Sequence, residues 1–411
     1  MVDRRKMKSL KDVNITLAIF IGLVAGILVG LFVPGGIGWF YSLLGVISSL
    51  YMSALKMMIY PLVFCSIVVG IHGIGNIRAT GKIGGLSLLF FLLTTAFASF
   101  LGLFLSRILN LGEGVSITMS EATVEATQFT SLLDTLETLI PSNPIASFAE
   151  GNMLQVLVFA LISGFTVLSI GEKAEPFMSV ITSVNELSLK IISVVMYFTP
   201  LGVFCSIATV VESNGTSTVL SLATVMIALY TTYFLYVLIF YGGLVKTLGK
   251  CSLRKFFTTA APAALNAFGT CSSSATIPIS MRCMEEKLDC PSEITSLVVP
   301  LGATVNMDAV SIVMSFMIPF FASACGVNVS LSMMVVVLLA NVLLSIGTPG
   351  VPGGAIASFA ALSAMVGLPS GIMGVYISVN TLADMGATCV NVLGDLACCQ
   401  VLKAQLYPDK K

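Results

Sequence analysis

Three carboxylates carry the first chemical signal in this chain. From Ile294 to Leu402 the only charged residues are Asp308, Asp384 and Asp395, and no Lys, Arg or His falls in that stretch. The sequence around them is overwhelmingly apolar. On membrane-insertion scales an ionised carboxylate in such a setting costs about 2.5–3.5 kcal/mol or more, and intramembrane acids are almost always paired. With no basic partner in the segment, each must be protonated or completed by a mobile cation or a ligand ammonium. That choice points to cation-coupled movement of a solute across a membrane.

The spacing of the polar residues says more. Asp384, Thr388, Asn391 and Asp395 are 4, 3 and 4 apart, which puts all four on one face of a helix. Asn380 and Ala387 lie on or beside that stripe. A seam that serves only helix packing rarely carries two aspartates without a basic partner, so the stripe faces a cavity. In Gly302-Ala-Thr-Val-Asn-Met-Asp-Ala309, Asn306 and Asp308 are two apart and would point in nearly opposite directions from a regular helix. Unwinding there would free backbone carbonyls beside Asn and Asp oxygens, an all-oxygen set that suits a hard cation such as Na+. Ser272, Ser273 and Ser274 precede a helical-looking run, whose free N–H groups and positive dipole end form a carboxylate-binding position. A serine tip for a carboxylate and Asp384 for an ammonium suit a zwitterionic amino acid. The Gly-rich run 347–354 lacks Gly-Lys-Ser/Thr, so a phosphate loop is not supported.

The elements that position these residues must lie in a membrane. The 411 residues are 56% hydrophobic and 10% charged, against roughly one-quarter charged in a soluble domain. Repeated apolar runs make this a polytopic helical membrane protein. Net charge is zero, and without a basic stripe nucleic acid is excluded as a partner. Ten cysteines without a C-x-x-C pair and one histidine, His72, do not make a zinc or haem site. The cysteines read as small core residues, and His72 as structural. Apolar spans fall at 14–34, 42–72, 83–110, 146–170, 184–211 and 218–245. Arg4, Arg5, Lys6, Lys8 and Lys11 precede the apolar run Ile15–Val33. That run is long for a signal peptide and no A-x-A site follows, so it reads as a retained first helix.

Glu113–Glu137 is the one extended polar insertion and reads as an exposed loop. If spans alternate, the basic groups Arg4–Lys11, Arg78 with Lys82, Lys173, Lys246–Lys255, Arg282 with Lys287, and Lys403–Lys411 share one side. The acidic loop and Asn214-Gly-Thr share the other. The positive-inside rule then puts both termini in the cytoplasm, while Lys56 and Arg107 must snorkel or find partners. Lys255 to Lys287 begins and ends on the basic side, yet its middle is Thr270-Cys-Ser-Ser-Ser-Ala-Thr-Ile-Pro278. That pattern reads as a re-entrant hairpin. Ser345-Ile-Gly-Thr-Pro-Gly-Val-Pro-Gly-Gly354 splits a second apolar segment, because helix cannot run through two prolines and four glycines. Irregular backbone at depth survives only when buried or lining a wet cavity. Two interrupted segments around one intact span point to a transporter site between inverted repeats.

Taken together, the serine tip, Asn306-Met-Asp308, Gly347-Thr-Pro-Gly-Val-Pro-Gly353 and Asp384-Met-Gly-Ala-Thr388…Asn391…Gly394-Asp395 resemble the dicarboxylate/amino acid:cation symporter family. The resemblance covers essentially the whole chain. It implies an all-α membrane protein with eight transmembrane helices, two re-entrant hairpins, inverted repeats, a homotrimer and an elevator-type movement. Scaffold helices 1–2 would occupy 1–82, transport-domain helix 3 and the start of the outer loop 83–125, and scaffold helices 4–5 126–217. The rest of the transport domain would fill 218–411: helix 6, hairpin 1 at about 254–287, helix 7 at 292–324, hairpin 2 at 331–367 and helix 8 at 370–404. By position, Ser273 and Asn391 resemble contacts to a substrate α-carboxylate, within the tip Ser272–Ser274. Asp384 resembles the partner of its ammonium, with Thr388 beside them and the backbone at Val351 closing the site. One sodium site would use the Gly302 carbonyl, Asn306, Asn391 and Asp395. A second would use Thr304, Thr348 and the Ser345 and Ile346 carbonyls. A third would use Thr94, Thr95, Asn306 and Asp308.

Departures from the family pattern set the specificity expected. Acidic-substrate members carry an arginine where this chain has Ala387, and Gly-Thr where it has Ala309-Val310. Some carry an arginine at Cys271, and an aspartate is common at Asn380. A second substrate carboxylate would find no cation here, and burying it unpaired costs several kcal/mol. The small wall of Ala387 and Val310 suits a neutral amino acid such as Ser, Ala, Thr or Cys, carried with Na+ across the cell membrane. The rival within the family is a sodium- or proton-coupled glutamate, aspartate or C4-dicarboxylate carrier. An intramembrane aspartyl protease would want Gly-x-Gly-Asp, and Val392 stands in the first glycine's place. Neither interruption resembles a potassium-type filter. No enzymatic activity is expected.

Overall fold

The computed structural model describes residues 15–33, 37–79, 81–112, 140–348, 350, 353–369 and 371–408. The basic group Arg4–Lys11, the insertion Glu113–Glu137 and Val351 therefore lie outside the described residues. Within them the chain is helical: α1 (Ile15–Phe32), α2 (Gly38–Lys56), α3 (Ile59–Ala79), α4 (Lys82–Ile108), α5 (Pro144–Glu150), α6 (Met153–Ile170), α7 (Glu175–Val195), α8 (Thr199–Asn214), α9 (Thr216–Leu235), α10 (Gly242–Thr247), α11 (Leu253–Thr270), α12 (Ser273–Leu288), α13 (Ser292–Val305), α14 (Asp308–Ala324), α15 (Leu331–Gly347), α16 (Gly354–Val366) and α17 (Ile372–Leu406). A π-helical turn, Tyr236–Tyr241, joins α9 to α10. Five helical stretches among the described residues are long and apolar enough to cross a bilayer: Lys82–Ile108, Gln155–Ser213, Val219–Thr247, Ser292–Ala324 and Ile372–Leu406. Shorter apolar helices occupy Ala18–Phe32, Tyr60–Gly73, Leu331–Ile346 and Gly354–Val366.

Several apolar spans of the sequence are broken in the structure, each for a local reason. The run 42–72 divides at Met57–Met58, just before Pro61, whose ring removes a helical donor and crowds the preceding turn. The run 146–170 divides at Gly151, which takes φ 76° and closes α5, while Asn152 caps α6 by accepting from Gln155 N–H. The run 184–211 divides at a 3-10 turn, Met196–Phe198, ahead of Thr199-Pro200.

Two groups of neighbouring helices share one continuous hydrophobic core, and α8 of the first group contacts α17 of the second. In the first, α1 lies along α8, and α3 packs with α6 and α7. The α1 contact is a small-residue seam at i, i+4 and i+8. A Cβ at Gly26 would meet the Phe204 carbonyl oxygen at 2.7 Å, and one at Gly30 the Ala208 carbonyl oxygen at 2.7 Å. Glycine spacing of this kind lets membrane helices approach backbone to backbone. In the second group, α4 packs along α14, and α17 contacts α11, α12, α13 and α14. Hairpin α15–α16 packs against α14 and also against α3, and α16 touches α6, so it bridges the groups.

Burial separates the helices that carry the aspartates from those that face lipid. In an 18-residue apolar stretch of Ser292–Ala324 and of Ile372–Leu406, 83% and 89% is buried, against 39% in Lys82–Ile108 and in Val219–Thr247. Exposed Leu93, Phe100, Phe104, Phe234 and Ile239 form the lipid-compatible surface. The chain is thus a membrane-embedded helical protein whose polar helices are wrapped by apolar ones.

Candidate functional site

The break between α13 and α14 is the centre of the site. Helix α13 ends with the Asn306 N–H donating to the Gly302 carbonyl at 2.9 Å, and Asn306 and Met307 leave helical geometry. Asp308 then opens α14, where a negative charge is favoured by the helix dipole. Its carboxylate is fully buried and accepts four hydroxyl hydrogens. Thr94 (3.1 Å) and Thr95 (2.6 Å) of α4 donate to Oδ1. Tyr236 (2.8 Å) and Tyr241 (2.6 Å) donate to Oδ2. All four donors are neutral, and Thr94 and Tyr236, with one hydrogen each, also lie 3.1 Å from the Phe91 and Thr94 carbonyls, so the four lone-pair sites of Asp308 need not all be filled at once.

The second carboxylate is joined to the first through Asn306. Its Nδ2 donates to Asp395 Oδ1 at 2.8 Å and to the Asn391 carbonyl at 2.9 Å. Its Oδ1 is buried without a hydrogen-bond donor among the described residues. Asn391 accepts from the Ala309 N–H at 2.8 Å through its own Oδ1, tying α17 to the first turn of α14. Gly302 packs so tightly on Asp395 that a Cβ there would run into the carboxylate. A stranded amide oxygen and carboxylates held by neutral groups form the donor set that a hard cation takes.

The third carboxylate lies beneath two helix tips. Cys271 adopts φ 50° at the end of α11, and Ser272 caps α12 by accepting from Ala275 N–H. The Gly350 carbonyl accepts from Ser272 Oγ (3.1 Å) and Ser274 N–H (3.2 Å), so the tips of the α11–α12 and α15–α16 hairpins meet. Asp384 Oδ2 accepts the Gly353 N–H at 3.2 Å, and the Thr388 hydroxyl donates to the Asp384 carbonyl at 2.8 Å. Ser273, Val310, Ala387 and Asn391 are all buried. The donors on all three aspartates are hydroxyls, a side-chain amide and a backbone N–H; none is cationic.

The expected sites come together to different degrees. Asn306 bonds both Asn391 and Asp395, and Gly302 packs on Asp395. Thr94 and Thr95 meet Asp308, whereas the amide nitrogen of Asn306 turns to Asp395. Thr304 and Thr348 are not joined by a hydrogen bond among the described residues. The exposed Thr304 donates back to the Leu301 carbonyl, and the Thr348 hydroxyl is occupied by Leu344 O and Ser358. Ser345 is buried, and the Ile346 carbonyl faces Gly70 of α3.

Tyr236 and Tyr241 are absent from the sequence-based expectations. Tyr230, Tyr233 and Tyr236 recur every third residue in a stretch without charged residues, a visible hint. Tyr241 falls five residues later and would leave that face in an α-helix. The i→i+5 repeat of the π-turn brings it back onto Asp308.

The sequence pattern of the Sodium:dicarboxylate symporter family matches residues 15–405. The proton/sodium-glutamate symport protein of Bacillus caldotenax is 29% identical over 394 residues, covering 94% of this chain and 93% of that protein. The C4-dicarboxylate transport protein of Bacillus subtilis (strain 168) is 30% identical over 389 residues, covering 93% and 91%. A C4-dicarboxylate transport protein of Edwardsiella ictaluri is 29% identical over 397 residues, covering 95% and 92%.

Proposed function

The chain belongs to the Sodium:dicarboxylate symporter family, and on that premise we propose that it takes up a small neutral amino acid together with Na+. The reading is supported by the residue types at three buried positions, Asp384, Ala387 and Val310. Asp384 offers a carboxylate to an ammonium, while Ala387, three residues on, and the buried Val310 offer nothing to a second carboxylate. A glutamate side chain buried against these residues would lose water without gaining a cation, which costs several kcal/mol. A C4-dicarboxylate has no ammonium to balance Asp384. The serine tip Ser272–Ser274 receives the α-carboxylate, with Thr388 and Asn391 beside it.

For the coupling ion, Gly302, Asn306, Asn391 and Asp395 form one sodium site and Thr94, Thr95 and Asp308, with Asn306, another. A third, at Thr304, Thr348 and the Ser345 and Ile346 carbonyls, needs hairpin α15–α16 to rearrange. Closure of the two tips over the loaded site, including the backbone at Val351, then permits an elevator-type movement of the second helix group against the first. The protein works as a homotrimer in the cell membrane with both termini in the cytoplasm.

The names of the relatives favour a second reading, in which the substrate is glutamate or a C4-dicarboxylate. Uptake of labelled serine, aspartate and succinate into proteoliposomes separates the two. Serine uptake that excess aspartate leaves intact is the expected result. Aspartate or succinate uptake unaffected by excess serine would overturn the neutral reading in favour of the second.

A further inference from the structure

We infer that Tyr236 and Tyr241 are positioning residues of the coupling-cation site: they hold one oxygen of Asp308 so that the other is presented to the ion. The inference rests on the sodium coupling proposed above. The four hydroxyls on Asp308 are divided by element, with the threonines of α4 on Oδ1 and the two phenols on Oδ2. The threonine side can be rearranged. Thr94 has a second acceptor for its hydrogen, the Phe91 carbonyl at 3.1 Å. It can turn there and offer an oxygen lone pair beside Oδ1. Tyr241 donates to Asp308, and Tyr236 spans Asp308 and the Thr94 carbonyl (3.1 Å), tying α4 to α14.

The phenols are themselves fixed by a stack of rings. Tyr236 lies on Phe240 with centroids 4.9 Å apart, Phe97 lies on Phe240 at 4.5 Å, and Tyr241 meets Tyr236 edge-on at 4.9 Å. Gly394 leaves room for the Tyr241 hydroxyl, since a Cβ there would collide with it and would press on the Asn306 amide at 2.6 Å. Tyr241 thus stands where the Asp308 and Asp395 groupings meet. The π-turn is what aligns both phenols, and such turns inside α-helices occur often at functional sites. A carboxylate clamped on Oδ2 presents a single oxygen, which favours a small ion over a larger one that would chelate both.

Tyr241→Phe and Tyr236→Phe remove only a hydroxyl. The full-length proteins are compared with wild type by sodium titration of serine uptake in proteoliposomes, and by melting temperature in rising Na+ without serine. Tyr241→Phe is expected to raise half-saturating Na+ about tenfold, the scale of one hydrogen bond to a charged group. Tyr236→Phe should raise it less. Serine affinity at saturating Na+ should stay within about twofold of wild type, because the phenols touch no substrate group. Phe97→Leu, which loosens the ring stack and keeps both hydroxyls, should shift the sodium curve clearly less than Tyr241→Phe does. Unchanged sodium curves in both tyrosine variants would overturn the clamp. So would parallel loss of sodium and serine affinity, or an equal shift in Phe97→Leu, either of which marks general packing. A wild-type protein without any sodium response would instead overturn the coupling reading beneath it.

Discussion

At the residue scale, the three isolated aspartates occupy three different environments, and their chemistry differs accordingly. Asp308 is enclosed by four hydroxyls, Asp395 by the Asn306 amide and Gly302, and Asp384 by one backbone N–H and its own helical turn. Asp384, assigned to an incoming ammonium, accepts the Gly353 N–H at 3.2 Å and the Thr388 hydroxyl at 3.5 Å, and neither donor is cationic. Replacing it by Asp384→Asn removes a charged partner worth about 1.5–3 kcal/mol. Serine affinity measured by binding competition should fall about tenfold or more, with the sodium requirement little changed. Normal serine binding by the Asp384→Asn protein would contradict the assignment. Ala387→Arg places a cation at the position where the family resemblance implies one for acidic substrates. Aspartate should gain and serine should lose in paired uptake assays, and a variant with unaltered preference would show that Ala387 does not line the pocket.

At the element scale, function is concentrated where helices stop. The α13–α14 break turns Asn306 toward the Asp395 carboxylate and Asp308 toward four hydroxyls, and the hairpin tips meet through the Gly350 carbonyl. A Cβ at Gly350 would press on the Ala303 carbonyl oxygen and stand 3.3 Å from both Ser273 Cβ and Ser274 Oγ. Gly350→Val should therefore keep the tips apart, raising half-saturating serine several-fold and lowering the melting temperature. Unchanged serine kinetics would mean that tip contact is not part of closure.

Much of this was legible from the sequence because polar and Gly/Pro residues are so costly in an apolar segment. Ser272–Ser274 and Gly347–Gly353 announced chain reversal, and Asn306-Met-Asp308 announced an unwound turn. Other features left no readable trace. A π-turn has no composition of its own, so the Tyr241 contact could not be placed. The break at Met57–Met58 lies in apolar sequence, with Pro61 its one marker. The back-bonding of Thr304 to Leu301 depends on which way the hydroxyl turns, and residue type does not decide that.

At the scale of the whole molecule, the two hairpins meet different surroundings. Hairpin α15–α16 is pressed against the first helix group, with the Ile346 carbonyl at Gly70 and Gly353 beside Met196 of the 3-10 turn. Near the tip of hairpin α11–α12, Leu265 is 72% exposed. This asymmetry is what an elevator-type movement between the groups would exchange. Coupling requires that the ion sites and the substrate site share elements, and α17 carries Asp384, Asn391 and Asp395 on one helix while α14 joins it through Ala309. Proteoliposomes holding a Na+ gradient, with the proton gradient collapsed by an uncoupler, test that coupling most directly. Accumulation of labelled serine that persists under the uncoupler and vanishes when Na+ is equal on both sides is the result expected. Accumulation that ignores the Na+ gradient and disappears with the proton gradient would contradict it.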